Sequence, residues 1–240
     1  AIHRQLNLKG YGDSTKGGSI LTPARNSLDL LDPIAVKEWF SINKPDVVIL
    51  AAAKVGGISA NKEFPTEFLL ENLKIQNNII ENSWTFKTKR LLFLGSSCIY
   101  PKFSEQPIKE ESLLSGYLEK TNYAYAIAKI AGIKLCEALR TQYGFDAISI
   151  MPTNLYGPND NYHPENSHVI ASLIRKFASA VKNSEREVEC WGSGAPMREF
   201  LHVDDLASAV IFLLKNWFPG DKNSPKDVNG NYLYHLNVGT

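Results

Sequence analysis

Tyr125-Ala126-Ile127-Ala128-Lys129 places a phenol and an ammonium four residues apart, on one face if the segment is helical. Upstream, Leu91-Leu92-Phe93-Leu94-Gly95-Ser96-Ser97-Cys98 runs four apolar residues into a glycine and then into two hydroxyls and a thiol. An apolar run closed by a turn residue reads as a buried strand of a parallel sheet. Ligands of such sheets sit beyond the carboxyl ends of the strands. The chemistry these residue types suit is carbonyl reduction. The phenol donates a proton to a developing alkoxide, a poor role near neutrality at its ordinary pKa of about 10, and a neighbouring ammonium lowers that pKa. The serine hydroxyl adds a second donor to the reacting oxygen. The hydride must come from a nicotinamide, since no side chain carries one. Tyr-x-x-x-Lys by itself occurs by chance in many helices; Gly95-Ser96-Ser97 on a strand end gives it weight.

The elements that must position these groups follow from periodicity. A helix tail is expected over 1–9, then a Gly/Ser/Lys loop over 10–22 with a short strand at 19–22. Asp32-Pro33 reads as an N-cap followed by proline at the first helical position. Strands are expected at 46–53, 91–94 and 147–151, with further short ones at 187–191, 200–203 and 232–238. Helices are expected over 65–84, 122–143, 168–182 with Ser167 as cap, and 204–215, with Gly144 stopping the second of these. Residues 152–158 read as a turn-rich loop. Strands alternating with helices imply a parallel sheet covered on both faces, and the segment from about residue 159 reads as a smaller lobe.

Composition bounds the function. The 240 residues carry a formal charge of +1, which gives no electrostatic case for nucleic acid or an anionic membrane. No apolar run approaches a membrane span and no signal peptide is visible. Cys98, Cys136 and Cys190 are scattered and odd in number. That argues against a disulfide framework or a zinc site and fits a reducing, cytoplasmic compartment. Cys136 and Cys190 read as core.

The order of these motifs resembles the extended short-chain dehydrogenase/reductases. The resemblance rests on Ala51-Ala52-Ala53-Lys54-Val55-Gly56-Gly57-Ile58, the segments 94–101, 125–134 and 151–158, Asn166-Ser167-His168-Val169-Ile170, and 191–205. Within the family the Cys98 and His168 contexts resemble the branch that acts on GDP-4-keto-6-deoxymannose with NADPH. The resemblance implies a Rossmann-like doubly wound α/β fold, with an NADP-binding domain over 1–158 and a substrate lobe over 159–240. It implies Ser96, Cys98, Tyr125, Lys129 and His168 as catalytic. Cys98 takes a proton from C3 or C5 of the ketosugar, His168 returns one from the other face, and Ser96 and Tyr125 hold the carbonyl oxygen. A thiol serves as base if a cationic surrounding pulls its pKa toward neutrality. Arg25, Asp29, Leu30, Ala52, Leu94, Gly95, Ser96, Ser97, Lys129, Pro152, Asn154, Leu155 and His168 match cofactor-contacting positions, Arg25 for the 2′-phosphate. Lys176, Trp191 and Arg198 match positions facing the sugar nucleotide. A homodimer pairing the helices at 65–84 and 122–143 is also implied.

Each of these residues has a plainer reading. A lone cysteine after a strand is commonly a small core residue, a histidine at a helix start a capping or surface group, and Arg25 or Lys176 a solvated charge. Both ends of the chain read as cut, with the glycine-rich pyrophosphate turn and the first strand lying outside it. A 240-residue piece made alone is therefore expected to bind NADPH poorly. Two other functions fit the same fold: another NAD(P)-dependent sugar-nucleotide epimerase or dehydratase, and a non-catalytic redox-sensing protein. The latter has no need of Ser96, Tyr125 and Lys129.

Overall fold

The computed structural model of the chain describes every residue except Glu165, Asn166, Trp191 and Pro196. Four parallel strands form the central sheet: β1 (Val47–Leu50), β2 (Arg90–Leu94), β3 (Ala147–Pro152) and β6 (His235–Val238), in the order β1-β2-β3-β6. Leu92 stands between Ile49 and Ile148 in register. Side chains alternate across a strand, and the two cores show it. Leu91 and Phe93 enter one core, with Val36 and Phe40 of α2 (Pro33–Asn43), Ile79 and Ile80 of α4 (Pro65–Thr85), and Ile130 and Ile133 of α5 (Tyr123–Tyr143). Leu92, Ile148 and Ile150 enter the other, with Leu206 and Val210 of α7 (Val203–Asn216) and Ile2 of α1 (Ile2–Leu8). The sheet is thus covered on both faces, as its unbroken apolar strands require.

Local signals set the helix ends. Asp32 accepts from the N–H groups of Ile34 and Ala35 at 2.8 and 3.2 Å, satisfying two of the first-turn donors that have no partner inside the helix. Gly144 ends α5 in the left-handed region at φ +67°. Arg90, buried at the start of β2, donates to the carbonyls of Leu214 and Trp217, closes the end of α7 and pairs with Asp146 at 3.3 Å.

Several expectations need correction. Residues 19–22 form no strand, since they pair with no ladder among the described residues. Residues 187–190 likewise join no ladder among the described residues, and Cys190 there is exposed rather than core; Cys136 is buried as expected. The loop expected at 152–158 contains β4 (Asn154–Tyr156), which pairs in parallel with β5 (Phe200–His202) as a separate two-stranded sheet. Short parallel pairing between segments so far apart leaves no local periodicity to read. Helix α3 (Ile58–Glu63) was not expected, because six residues are too few to show a 3.6 period. Helix α6 (Val169–Lys182) takes His168 as its N-cap residue without a side-chain cap bond, so Ser167 is not its cap.

Candidate active site

The carboxyl end of β2 carries the site. Gly95 follows the strand because nothing larger fits: an added Cβ would overlap the Met151 sulfur and stand 2.9 Å from its Cε. Ser96 is extended, and its Oγ accepts from the Cys98 N–H at 3.4 Å, opening a single 3₁₀ turn over Ser97–Ile99. The hydroxyls and the thiol therefore leave the sheet at one point.

Helix α5 brings the phenol and the ammonium to that point. Lys129 is 3 % exposed, and its Nζ donates to the Leu94 carbonyl at 2.8 Å. It stands 4.7 Å from the Phe93 ring centroid and 5.8 Å from that of Tyr125, positions that favour a cation over an aromatic ring. Two polar side chains of α4 hold the surroundings. Gln76 donates to the Ala128 carbonyl at 2.7 Å, beside Gly132, where an added Cβ would stand 2.7 Å from the Phe93 ring. Asn72 accepts from the Lys54 N–H at 2.8 Å and donates to its carbonyl at 3.0 Å, fixing the loop after β1. Phe68, four residues before Asn72, meets the Tyr125 ring edge to face at 6.3 Å and lies against Gly56. Sequence reasoning missed Asn72 and Gln76. The available signal was an amide recurring every fourth residue on an otherwise apolar face.

The four groups feel one another. Burial pushes the Cys98 thiol up to about 11, against the lowering effects of the Ser96 hydroxyl and the Lys129 charge. Burial raises the Tyr125 phenol too, the Cys98 charge adds to this, and a hydrogen bond with Ser96 opposes it. Burial lowers Lys129 to about 8, and Cys98 acts in the opposite sense. Desolvation disfavours every charge here. A thiol base needs a pKa drawn toward neutrality; here the Lys129 charge acts in that direction and burial outweighs it.

The remaining expected residues are placed as follows. Arg25 and Asp29 are exposed, Asp29 accepting from the Leu31 N–H at 3.0 Å, while Leu30 packs against the core. Ala52 is exposed in the loop after β1; Leu94 and Ser97 are partly buried and Pro152 buried at their strand ends. Asn154 Nδ2 donates to the Glu199 carbonyl at 2.9 Å, and Leu155 packs against the second core. His168 is exposed at the start of α6, apart from the four clustered groups in its hydrogen bonding among the described residues. The backbone beside it comes close, since the Ser167 carbonyl lies 3.4 Å from where a Cβ on Gly57 would stand. Lys176 donates to the Glu189 carbonyl at 2.8 Å, and Arg198 is exposed, donating to the Met197 carbonyl at 2.7 Å. Trp191 lies outside the described residues.

This edge suits a dinucleotide. The Thr153 hydroxyl, directly after β3, and the Ser167 hydroxyl are buried with no hydrogen-bond partner among the described residues, and such groups suit a polar ligand. Ala51 and Ala52, small and exposed after β1, let a flat group approach the backbone there.

Comparison with known proteins agrees. The family model described as "NAD dependent epimerase/dehydratase family" matches residues 7–229. The chain is 52 % identical over 240 residues to GDP-L-fucose synthase 1 of Arabidopsis thaliana, covering all of this chain and 68 % of that one. It is 50 % identical over 244 residues to GDP-L-fucose synthase of Escherichia coli K12, covering all of this chain and 72 % of that one. Among solved structures, a GDP-L-fucose synthetase of Naegleria fowleri bound to NADP superposes with a TM-score of 0.78 at 31 % identity, covering 89 % of this chain and 68 % of that one.

Proposed function

We propose that this chain, which belongs to the NAD dependent epimerase/dehydratase family, serves the NADPH-dependent 3,5-epimerisation and 4-keto reduction of GDP-4-keto-6-deoxymannose to GDP-L-fucose. The observation that carries this reading is the meeting of the Ser96 hydroxyl, Cys98 thiol, Tyr125 phenol and Lys129 ammonium at the end of β2. Relatives at 50 % identity and above carry the name of that synthase.

The ketone at C4 acidifies the protons at C3 and C5. Ser96 and Tyr125 donate to the ketone oxygen as enolate charge grows there. Cys98 removes a proton; its thiolate is favoured by Lys129 and by the Ser96 hydroxyl, the two groups that already oppose its burial. His168 returns a proton from the opposite face. Bound NADPH supplies the hydride to C4. Tyr125 then gives its proton to the oxygen at C4, with Lys129 stabilising the phenolate that remains. Arg25, Asp29, Leu30, Ala52, Leu94, Gly95, Ser97, Pro152, Asn154, Leu155 and His168 would hold the cofactor, and Lys176 and Arg198 the sugar nucleotide. Lys176 exchanges its bond to Glu189 for a phosphate oxygen when it does so. The outer faces of α4 and α5 pair two copies into a dimer. Residues 1–158 act as the cofactor domain and 159–240 as the substrate lobe. No helix among the described residues is long and apolar enough to cross a membrane.

The test is to supply the full-length protein with GDP-4-keto-6-deoxymannose and NADPH in deuterated water. Loss of the nicotinamide absorbance, with deuterium at C3 and C5 of the fucosyl product, is expected. Reduction without deuterium would remove the epimerisation, and no consumption of NADPH would remove the reading.

A further inference from the structure

The turn that carries Cys98 does not hold itself. Its internal bonds are all long: Ile99 N–H to the Ser96 carbonyl at 3.3 Å, Tyr100 N–H to the Ser97 carbonyl at 3.3 Å, and Cys98 N–H to Ser96 Oγ at 3.4 Å. These lie at the weak end of the hydrogen-bond range. The side chain of Ile99 is fully buried, but apolar burial has no direction.

Direction comes from Tyr100, which ends the turn and is 4 % exposed. Its hydroxyl donates to Oδ1 of Asn237 on β6 at 2.7 Å. Asn237 is itself clamped. Its Nδ2 donates to the Ile108 carbonyl at 3.0 Å, and its backbone N–H donates to Glu110 Oε1 at 2.9 Å. A ring nitrogen of His235, two residues earlier on β6, lies 3.2 Å from the Glu110 carbonyl. The short bond at Tyr100 thus ties the turn to a strand that the segment 108–110 holds by three further contacts.

We propose that Tyr100 and Asn237 are positioning residues, whose mutual hydrogen bond orients the Ser96–Tyr100 segment and keeps the Cys98 sulfur in its sheltered place between Ser96, Tyr125 and Lys129. The catalytic consequence rests on the proposed reaction; the placement of the thiol does not.

The experiment follows Cys98 directly, by mass spectrometry of iodoacetamide labelling at the Cys98 peptide in the full-length protein, below the melting temperature. Burial sets its reactivity first, and the Ser96 hydroxyl and the Lys129 ammonium act against it. Tyr100→Phe keeps the ring and removes the donor. Asn237→Ala removes the acceptor, and carries the test if Tyr100→Phe does not fold. Each is expected to speed Cys98 labelling at pH 8 by about tenfold, because a loosened turn admits water to the thiol, and to slow turnover by a similar factor. The double variant is expected to label no faster than Asn237→Ala alone, since the Tyr100–Asn237 bond is already lost there, together with the bond to Ile108. A role in general stability alone leaves the Cys98 labelling rate unmoved in the folded state. Labelling within twofold of the native rate in both single variants, or effects that multiply in the double variant, would overturn the proposal. If labelling shifts as expected while the native protein consumes no NADPH with GDP-4-keto-6-deoxymannose, the positioning stands and the proposed reaction falls.

Discussion

The ammonium of Lys129 donates a 2.8 Å hydrogen bond to the carbonyl of Leu94, 35 residues earlier in the chain. The charge is therefore placed by the last residue of β2, and α5 only delivers it. Lys129→Met removes both the charge and the donor. It is expected to cost roughly 1–3 kcal/mol in urea unfolding for the stranded carbonyl, and to lower NADPH oxidation by about 10²-fold or more. Lys129→Arg is expected to restore little, since a planar guanidinium does not fit a slot shaped for an ammonium against the Phe93 ring. Wild-type turnover in either variant contradicts the role.

The half-buried thiol of Cys98 titrates high, and its labelling reads that. With Cys98 raised from 9.0 to about 11, its iodoacetamide labelling in the absence of cofactor is expected to reach half its maximum near pH 11. Lys129→Met moves that midpoint higher, because the lost charge was lowering it. The sign for stability follows: a group whose folded pKa is raised stabilises the fold below its unfolded pKa, and loses that contribution as pH climbs through the folded one. Between pH 9 and 11 the native protein should therefore lose about 2–3 kcal/mol relative to Cys98→Ala. Lys129, lowered to about 8, works in the opposite sense. Its contribution is present above about 10.5 and is lost as pH falls through about 8. Urea titrations at stepped pH read both; parallel curves for native and Cys98→Ala would contradict the first.

Cys98→Ser and Tyr125→Phe should separate the two halves of the reaction. The serine variant keeps a donor of similar size but a far weaker base, so deuterium incorporation at C3 and C5 falls by about 10²-fold or more. Reduction of an already epimerised ketone is expected to survive. Tyr125→Phe loses the proton donor and slows reduction by about 10²–10⁴-fold. Equal losses of exchange and reduction in both variants would show that the assigned roles do not divide between these residues.

Gly95 packs against the Met151 thioether, which is 1 % exposed, and a Cβ there would also stand 3.3 Å from the Ile150 carbonyl oxygen. Gly95→Ala is expected to cost about 1–3 kcal/mol from overpacking, read as a fall in melting temperature. Met151→Ala should relieve that clash, so the double variant loses less than the two single changes summed. Strict additivity would mean that the two side chains do not compete for one space.

Asp32 offers a check remote from the site. Its carboxylate accepts from the N–H groups of Ile34 and Ala35, so Asp32→Ala is expected to destabilise by roughly 1 kcal/mol in urea unfolding and to leave turnover unchanged.

The residues alone determined the main strands and helices and most of their ends. The apolar run at Leu91–Leu94, the Asp32-Pro33 start, the Gly144 stop and the four-residue spacing of Tyr125 and Lys129 are local signals, set by backbone propensity and side-chain periodicity. They placed the phenol, ammonium, hydroxyl and thiol at one strand end. What only the tertiary structure decided is how those groups are solvated and braced. The high pKa of Cys98 comes from burial, and burial belongs to the packed chain. The bond between Tyr100 and Asn237 spans 137 residues of sequence, and no periodicity records such a pairing. The pairing of β4 with β5, the exposure of Cys190 and the position of His168 on the surface have the same origin: each depends on which distant segment comes to lie alongside.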